Sequence, residues 1–555
     1  MDKAVARKYG SNGRRDKFSD IAIELAQHWV DTVTEEQLQL AMEGVRTTPV
    51  KCEYIRFAEH AHDLGKYNPK DGTGMAELKS LYGIIDGAVS DSRSQVAVKH
   101  TYANLALAAV LGMMQGHMQL DSIADFCKNN FPWLRDHLGF IEPPSIHALR
   151  CMFSDVSLGM DRVYQAAISF IGMQLSQGYE RLGWTSKDLR HIAVDSKKSS
   201  DVEYGEIMTM GLWYAREGCF GAQICVNKKI SEIAGIIELF KWPCLSGRLK
   251  DSIVSADAFS CTRRLSMAVH DVGAIPVFNA KGNAGAVYYK VSDFFDSVTE
   301  TMSEAIRSHF RGTSSPCLSA WAYAAQEMNN LRFPNPTSPF ELIEFNYQGK
   351  KLSARRTVEL SHGGVWTRTY VMSTDLARFP EFSQVGMRGE RWIGLQSVVL
   401  CHSAFFSDEF GACPKTENRI YFTGSDDISI AEKVIQNHRG IENAYFRNDS
   451  LFRDDFSKLT FEGGSANLLM IKRIAEYLII SAYPLQDNQR RSVHDFITEL
   501  GECTLDELVA KVFSMLYPMN FDPDGKAKEK TPSIKTKSLK KNLSPKTLGN
   551  SKAKN

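Results

Sequence analysis

Strand and helix alternation from Leu189 onward predicts an α/β fold, and a strongly helical pattern ahead of it predicts a helical N-terminal region. Two short apolar runs in the α/β part each end in a carboxylate: Ile192-Ala193-Val194-Asp195 and Ser252-Ile253-Val254-Ser255-Ala256-Asp257. A third observation sets a β-rich stretch inside this part. Between Pro339 and Met372 the chain alternates, as in Phe340-Glu341-Leu342-Ile343-Glu344-Phe345 and Thr367-Arg368-Thr369-Tyr370-Val371-Met372. The predicted class is an α/β core with a β-rich insertion, preceded by helices.

Composition bounds what this fold can do. The 555 residues allow two or more domains, since single cores stop growing near roughly 250 to 300 residues. Hydrophobic residues at 43% and charged residues at 24% are ordinary for a globular protein and favour neither a disordered nor a membrane class. With 66 basic and 65 acidic side chains, binding to nucleic acid has to come from local segregation of charge. Both ends lean basic, through Lys3, Arg7, Lys8, Arg14, Arg15 and Lys17 at one and a lysine-rich tail after Pro518 at the other. The 11 cysteines form no C-x-x-C pair, which argues for reduced thiols and against a zinc ribbon or a disulfide framework. No apolar h-region follows Met1, and the run from Leu105 to Met114 is too short to span a bilayer, so a cytoplasmic protein is expected.

In chain order, residues 1–84 read as an appended helical module with a basic start, Ile21, Ile23, Leu25 and Trp29 giving it an apolar face. Inside it, His60-Ala61-His62-Asp63-Leu64-Gly65-Lys66 resembles the H-D-x-G-K string of the HD phosphohydrolases, in which adjacent His and Asp hold a metal. The plainer reading is a helix stopped by Gly65 with Lys66 at its carbonyl end. Residues 85–185 are helical, with Tyr102, Leu105, Ala109 and Met114 on one element, and Ser145 placed to cap a helix from His147 to Phe153. Next come a strand ending in Asp195, a hairpin from Ile207–Tyr214 and Gly221–Val226, a helix over 230–240, and the strand ending in Asp257. A helix over 264–271, stopped by Gly273, leads to a strand over 274–278. Two further strands, 395–401 and 419–422, return to the core, and a long helical pattern after Asp427 carries Glu442.

If the strands ending in Asp195 and Asp257 are parallel neighbours about 4.8 Å apart, the two acids can share a divalent cation. This order resembles a ribonuclease H-like core, whose nucleases and transposases hold two metals between carboxylates and need a third acid on a later helix. Between residues 85 and 480 the chain also resembles the H-repeat-associated group of insertion-sequence transposases, within the DDE transposase superfamily. The resemblance rests on several blocks in order. They are the helical block from Ala109-Val110-Leu111 to Pro143-Pro144-Ser145, Ile192-Ala193-Val194-Asp195-Ser196-Lys197, Lys229-Ile230-Ser231-Glu232-Ile233, Val254-Ser255-Ala256-Asp257-Ala258, Lys281-Gly282-Asn283, Ile441-Glu442-Asn443, and Asn467-Leu468-Leu469 with Arg473-Ile474-Ala475. The chain departs from the family's pattern at Ser196, where glycine is usual, at Gln436 in place of arginine and at Arg439 in place of tryptophan.

The resemblance implies a bacterial DNA transposase with Asp195, Asp257 and Glu442 as catalytic acids holding two Mg²⁺ or Mn²⁺ ions. Carboxylates suit such ions, which in two-metal sites stand roughly 3.5 to 4 Å apart and clamp the attacking and leaving oxygens of a phosphodiester. Lys197, Lys281, Asn283, His438, Arg439 and Asn443 neighbour these blocks and are candidate contacts to DNA phosphates. The implied partner is double-stranded DNA, bound by a homodimer or larger assembly without a membrane, in the cytoplasm and on the nucleoid. The expected domains are 1–84, a DNA-binding helical domain over 85–185, a catalytic core over 186–294 and 390–485, an insertion over 295–389, a helical segment over 486–520 and a disordered tail over 521–555. Three alternatives stand beside this reading: a transposase-derived DNA-binding protein without catalysis, a nuclease of the same fold, and a metal hydrolase centred on His62 and Asp63.

Overall fold

A computed structural model of the chain describes residues 74–91, 93, 98–181, 190–199, 207–215, 218–227, 232–242, 245, 248–311, 342–361, 364–407, 415–454, 464–483 and 492–514. The basic start, the string around His62 and Asp63, and the lysine-rich tail lie outside the described residues.

Among the described residues six α-helices come first: α1 (Met75–Ala88), α2 (Tyr102–Met114), α3 (Leu120–Asn129), α4 (Phe131–Leu138), α5 (Ile146–Ser154) and α6 (Met160–Arg181). All of α2 is buried, as suits a helix that is apolar all round. Thr101 caps it by accepting from the Asn104 amide, and Ser145 caps α5 by accepting from the Ala148 amide. Helix α1 runs through position 84 and packs on α2 and α6, continuous with the helices that follow it.

The α/β part consists of β1 (Arg190–Ser199), β2 (Ile207–Tyr214), β3 (Cys219–Asn227), α7 (Glu232–Phe240), β4 (Ser252–Ala256), α8 (Arg263–Asp271), β5 (Ile275–Ala280), α9 (Ala286–Arg311), β6 (Ile343–Tyr347), β7 (Lys350–Ser361), β8 (Gly364–Ser373), β9 (Ser397–Ser407), β10 (Lys415–Thr423), α10 (Ile428–Asn437) and α11 (Arg439–Ser450). The strands make one ten-stranded sheet in the order β3-β2-β1-β4-β5-β10-β9-β8-β7-β6. Strands β1, β4 and β5 are parallel, and the remaining neighbours are antiparallel. The β-rich stretch read as an insertion thus continues the same sheet through β6, β7 and β8.

Side chains alternate across the sheet with period two. Ile192, Val194, Val254 and Ala256 face the main core, which also takes in Leu107, Tyr164 and Leu478 of the helices. Ile253, Val277, Val399 and Tyr421 face α10, while Ala193, Trp213 and Phe220 face α11. Three helices end the described chain: α12 (Gly464–Ala482), α13 (Val493–Glu502) and α14 (Leu505–Phe513). Helix α12 is buried along most of its length against α2, α5, α6 and β3, which joins the helical region to the sheet. The fold is a mixed α/β architecture around one long sheet.

One expected boundary moves. Strand β1 does not end at Asp195 but runs on to Ser199, because β2 pairs with it along that whole stretch. The long helical pattern after Asp427 is present as α10 and α11, joined at His438, which keeps right-handed helical dihedrals.

Candidate metal centre

The parallel ladder between β1 and β4 runs from Arg190↔Ser252 to Val194↔Ala256. Asp195 on β1 and Asp257 just past the end of β4 come next, so the register sets the two carboxylates side by side where the ladder stops. Both strands are buried at this level, which is why an apolar run had to precede each acid. A third carboxylate joins from Glu232, the first residue of α7, which is only 8% exposed. One ligand oxygen each from Asp195, Glu232 and Asp257 lie within 4.8 Å of one another.

Each acid is held by a specific donor. The Ser196 amide donates to Asp195 Oδ1 at 2.8 Å, and the Ser260 amide donates to Asp257 Oδ1 at 3.0 Å. Ser260 Oγ donates to Glu232 Oε1 at 2.8 Å, so one serine ties the loop after Asp257 to both acids. Asn283 Nδ2 donates to the Ala258 carbonyl at 2.6 Å and to the Phe259 carbonyl at 3.2 Å, which braces that loop from the far side. Burial pushes Asp195 up to about 7, with the charges of Asp257, Glu232 and Glu442 adding to the rise and the Ser196 amide opposing it. Glu232 is raised as well, mainly by burial.

Glu442 sits in the first turn of α11, exposed, and does not belong to the close cluster of three. It is near enough for its charge to act on Asp195. The other sequence candidates divide by environment. Lys281 and Asn443 are exposed beside the acids' elements. Lys197 forms an ion pair with Asp449 of α11. His438 turns its Nδ1 to Ser255 Oγ at 2.7 Å, and burial holds this imidazole down to about 4. Arg439 lies over the Trp366 ring at 5.3 Å. At the other departure from the resemblance, Gln436 Nε2 donates to Thr357 Oγ1 at 3.0 Å. Lys197, His438, Arg439 and Asn283 are therefore engaged within the protein, whereas Lys281 and Asn443 are presented outward.

The donor set is three carboxylates with no histidine or cysteine, which fits a hard, oxygen-preferring divalent cation such as Mg²⁺ or Mn²⁺ and disfavours zinc. The crowding that raises Asp195 points the same way, because a cation relieves both the repulsion and the burial of charge. Sequence reasoning had not selected Glu232 for the site. Its only signal was a place in the Lys229-to-Ile233 block, since an acid opening a helix is ordinary helix chemistry.

A mixed α/β protein with a carboxylate cluster at the ends of central parallel strands is the class that fold and site define. No family model matches the sequence. The chain is similar to a protein of Escherichia coli O157:H7 described as "Putative transposase YncI", 21% identical over 448 residues that cover 78% of this chain and 95% of the relative. It is also 23% identical over 211 residues, 38% of this chain and 53% of the relative, to "Putative protein YbfL" of Escherichia coli (strain K12). Among the described residues no helix is long and apolar enough to cross a membrane.

Proposed function

We propose that this chain is a DNA transposase of the DDE type with a ribonuclease H-like core, cleaving and joining DNA at the ends of a mobile element. The observation that carries the reading is the meeting of Asp195 and Asp257 with a further acid at the end of a parallel strand pair, in a chain similar to a transposase along most of its length. Asp195 and Asp257 are the principal ligands, and Glu442 is the third catalytic acid, delivered by α11. When bound, Mg²⁺ or Mn²⁺ supplies an activated oxygen nucleophile and charge relief on the leaving oxygen.

The chain's own residues do the rest. Ser196, Ser260 and Asn283 fix the carboxylates and their loop before substrate arrives. Lys281 and Asn443 offer exposed donors to phosphates beside the cluster, which positions DNA and carries no base information. A reaction on two element ends calls for a homodimer or larger assembly on double-stranded DNA, in the cytoplasm and at the nucleoid.

A second reading is a transposase-derived DNA-binding protein without catalysis, favoured by the exposed place of Glu442 outside the close cluster. Cleavage of a DNA substrate bearing the element's ends, with Mg²⁺ or Mn²⁺, separates the two. The full chain is expected to cut and Asp257→Asn to cut at least 100-fold more slowly while still binding DNA, about 2.7 kcal/mol in barrier. Equal cleavage by both proteins removes the assigned mechanism. Binding without cleavage by either selects the second reading.

A further inference from the structure

The helix that carries Glu442 is fastened to both aspartate strands, at points on either side of that residue. On the N-terminal side the fastening is a chain of polar side chains. Ser255 Oγ lies 2.7 Å from His191 Nε2 and 2.7 Å from His438 Nδ1. Ser255 is two residues before Asp257 on the same chain segment, His191 is on the strand of Asp195, and His438 is the residue where α10 and α11 meet. A hydroxyl has one proton, so it donates to one ring and accepts from the other, which gives the two imidazoles opposite roles. Ser255 and His191 are buried, at 3% and 8% exposure, so losing a partner there leaves a polar group in the interior.

On the C-terminal side the Tyr445 hydroxyl donates to the main-chain carbonyl of Asp195 itself, at 3.0 Å. The Tyr445 ring packs on Phe220 with centroids 5.0 Å apart, which holds the phenol on its line. Between the two fastenings Gly440 lets the helix close on β2: a Cβ there would stand 2.0 Å from the Trp213 ring. His438, Ile441 and Tyr445 recur at helical spacing and define the face turned to the strands, and Glu442 projects from the flank of that face. Apolar contact alone tolerates sliding and rotation of such a helix. Directional bonds to residues beside Asp257 and Asp195 do not.

We propose that His438, Ser255 and Tyr445 are positioning residues that set the reach of Glu442 toward the Asp195–Asp257 pair. The inference rests on the metal-centre reading above, and it explains how an acid outside the close cluster is kept at a working distance. Each of the three acts through Glu442. None needs to touch metal or DNA.

Manganese binding by the full chain, read from the electron paramagnetic resonance of free Mn²⁺ without DNA, tests it. Glu442→Gln is expected to weaken binding about tenfold, and Tyr445→Phe and Ser255→Ala to weaken it by a similar factor, in the range found for groups behind metal ligands. In the Glu442→Gln background neither should weaken it further, because both act through the missing carboxylate. His438→Asn keeps a polar atom on Cγ where Nδ1 sits and should restore the affinity that His438→Leu loses. Tyr445→Phe removes a single oxygen from a packed ring, so it decides the matter even if Ser255→Ala does not fold. Wild-type affinity in Tyr445→Phe, losses that add to those of Glu442→Gln, or no effect of Glu442→Gln overturns the positioning role while the Asp195–Asp257 centre stands. Unchanged binding in Asp257→Asn removes the metal centre itself and this inference with it.

Discussion

Asp195 concentrates the chemistry of the site in one side chain. Its carboxyl is raised from 3.8 to about 7, first by burial and then by the acids around it. The folded chain therefore keeps a proton that the unfolded chain releases across that interval. Stability tied to it is full below the unfolded value near 4 and is lost as pH rises through about 7. His191 and His438 work in the opposite direction. Burial holds them down to about 3 and about 4, so stability tied to them is present above the ordinary histidine value of 6.5 and is lost as pH falls. Thermal unfolding of metal-free wild type and Asp195→Asn, compared from about pH 5 to about pH 8, isolates the aspartate's share. The wild-type midpoint should fall relative to the variant over that range, and added Mn²⁺ should recover it. Parallel pH profiles would contradict the raised carboxyl.

Among elements, α11 matters most and was the least legible. The pattern after Asp427 carries apolar residues at helical spacing across the whole of α10 and α11, with no proline in it, so it reads as a long helical pattern and says nothing of where α11 rests. His438, between them, keeps right-handed helical dihedrals, and what the sequence hides is the tertiary fastening there: the bond to Ser255 and the close approach of Gly440 to Trp213. Gly440 is the only local mark, and glycine inside a helical pattern has many causes. Overpacking at this contact follows directly. Gly440→Ala would drive a methyl into the Trp213 ring, and a loss of ~1–3 kcal/mol is expected in denaturant unfolding. An unchanged unfolding midpoint would show that α11 does not rest on β2 as described. Strands β1 and β4 were legible for the converse reason, since a buried parallel strand is a mostly apolar run and in each the acid follows such a run. Glu232 was hidden because α7 presents it as an ordinary first-turn acid, and only the packing of α7 brings it to Asp195 and Asp257.

Across the whole molecule, the helical region and the sheet are tied together by buried polar contacts behind the site. Arg447 of α11 pairs with Glu476 of α12 at 2.9 Å and donates to the Gly218 carbonyl at the β2–β3 turn at 3.1 Å. Arg473 pairs with the same Glu476 at 2.7 Å and with Asp454, deep in the interior. Asn467 Nδ2 donates to the Phe153 carbonyl at 2.8 Å, and Tyr164 donates to the Phe220 carbonyl at 3.1 Å, so α5 and α6 are fastened to the same frame. The block containing Asn467 and the one containing Arg473 stood out in the sequence, but periodicity names neither the Phe153 carbonyl, more than 300 residues from Asn467, nor Asp454, which reaches Arg473 from outside its helix. The joining of β6, β7 and β8 to the main sheet was hidden for a related reason. Alternation shows that a strand has two unlike faces but not which edge it will pair with. What the frame delivers is one place where the end of the β1–β4 ladder and the start of α7 meet, with the flank of α11 near enough for the charge of Glu442 to act on Asp195. Anomalous diffraction from crystals of the full chain grown with Mn²⁺ tests that claim most directly. The account predicts a manganese peak within ligand distance of the carboxylates of Asp195 and Asp257, and saturating Mn²⁺ with no peak at those residues would contradict it.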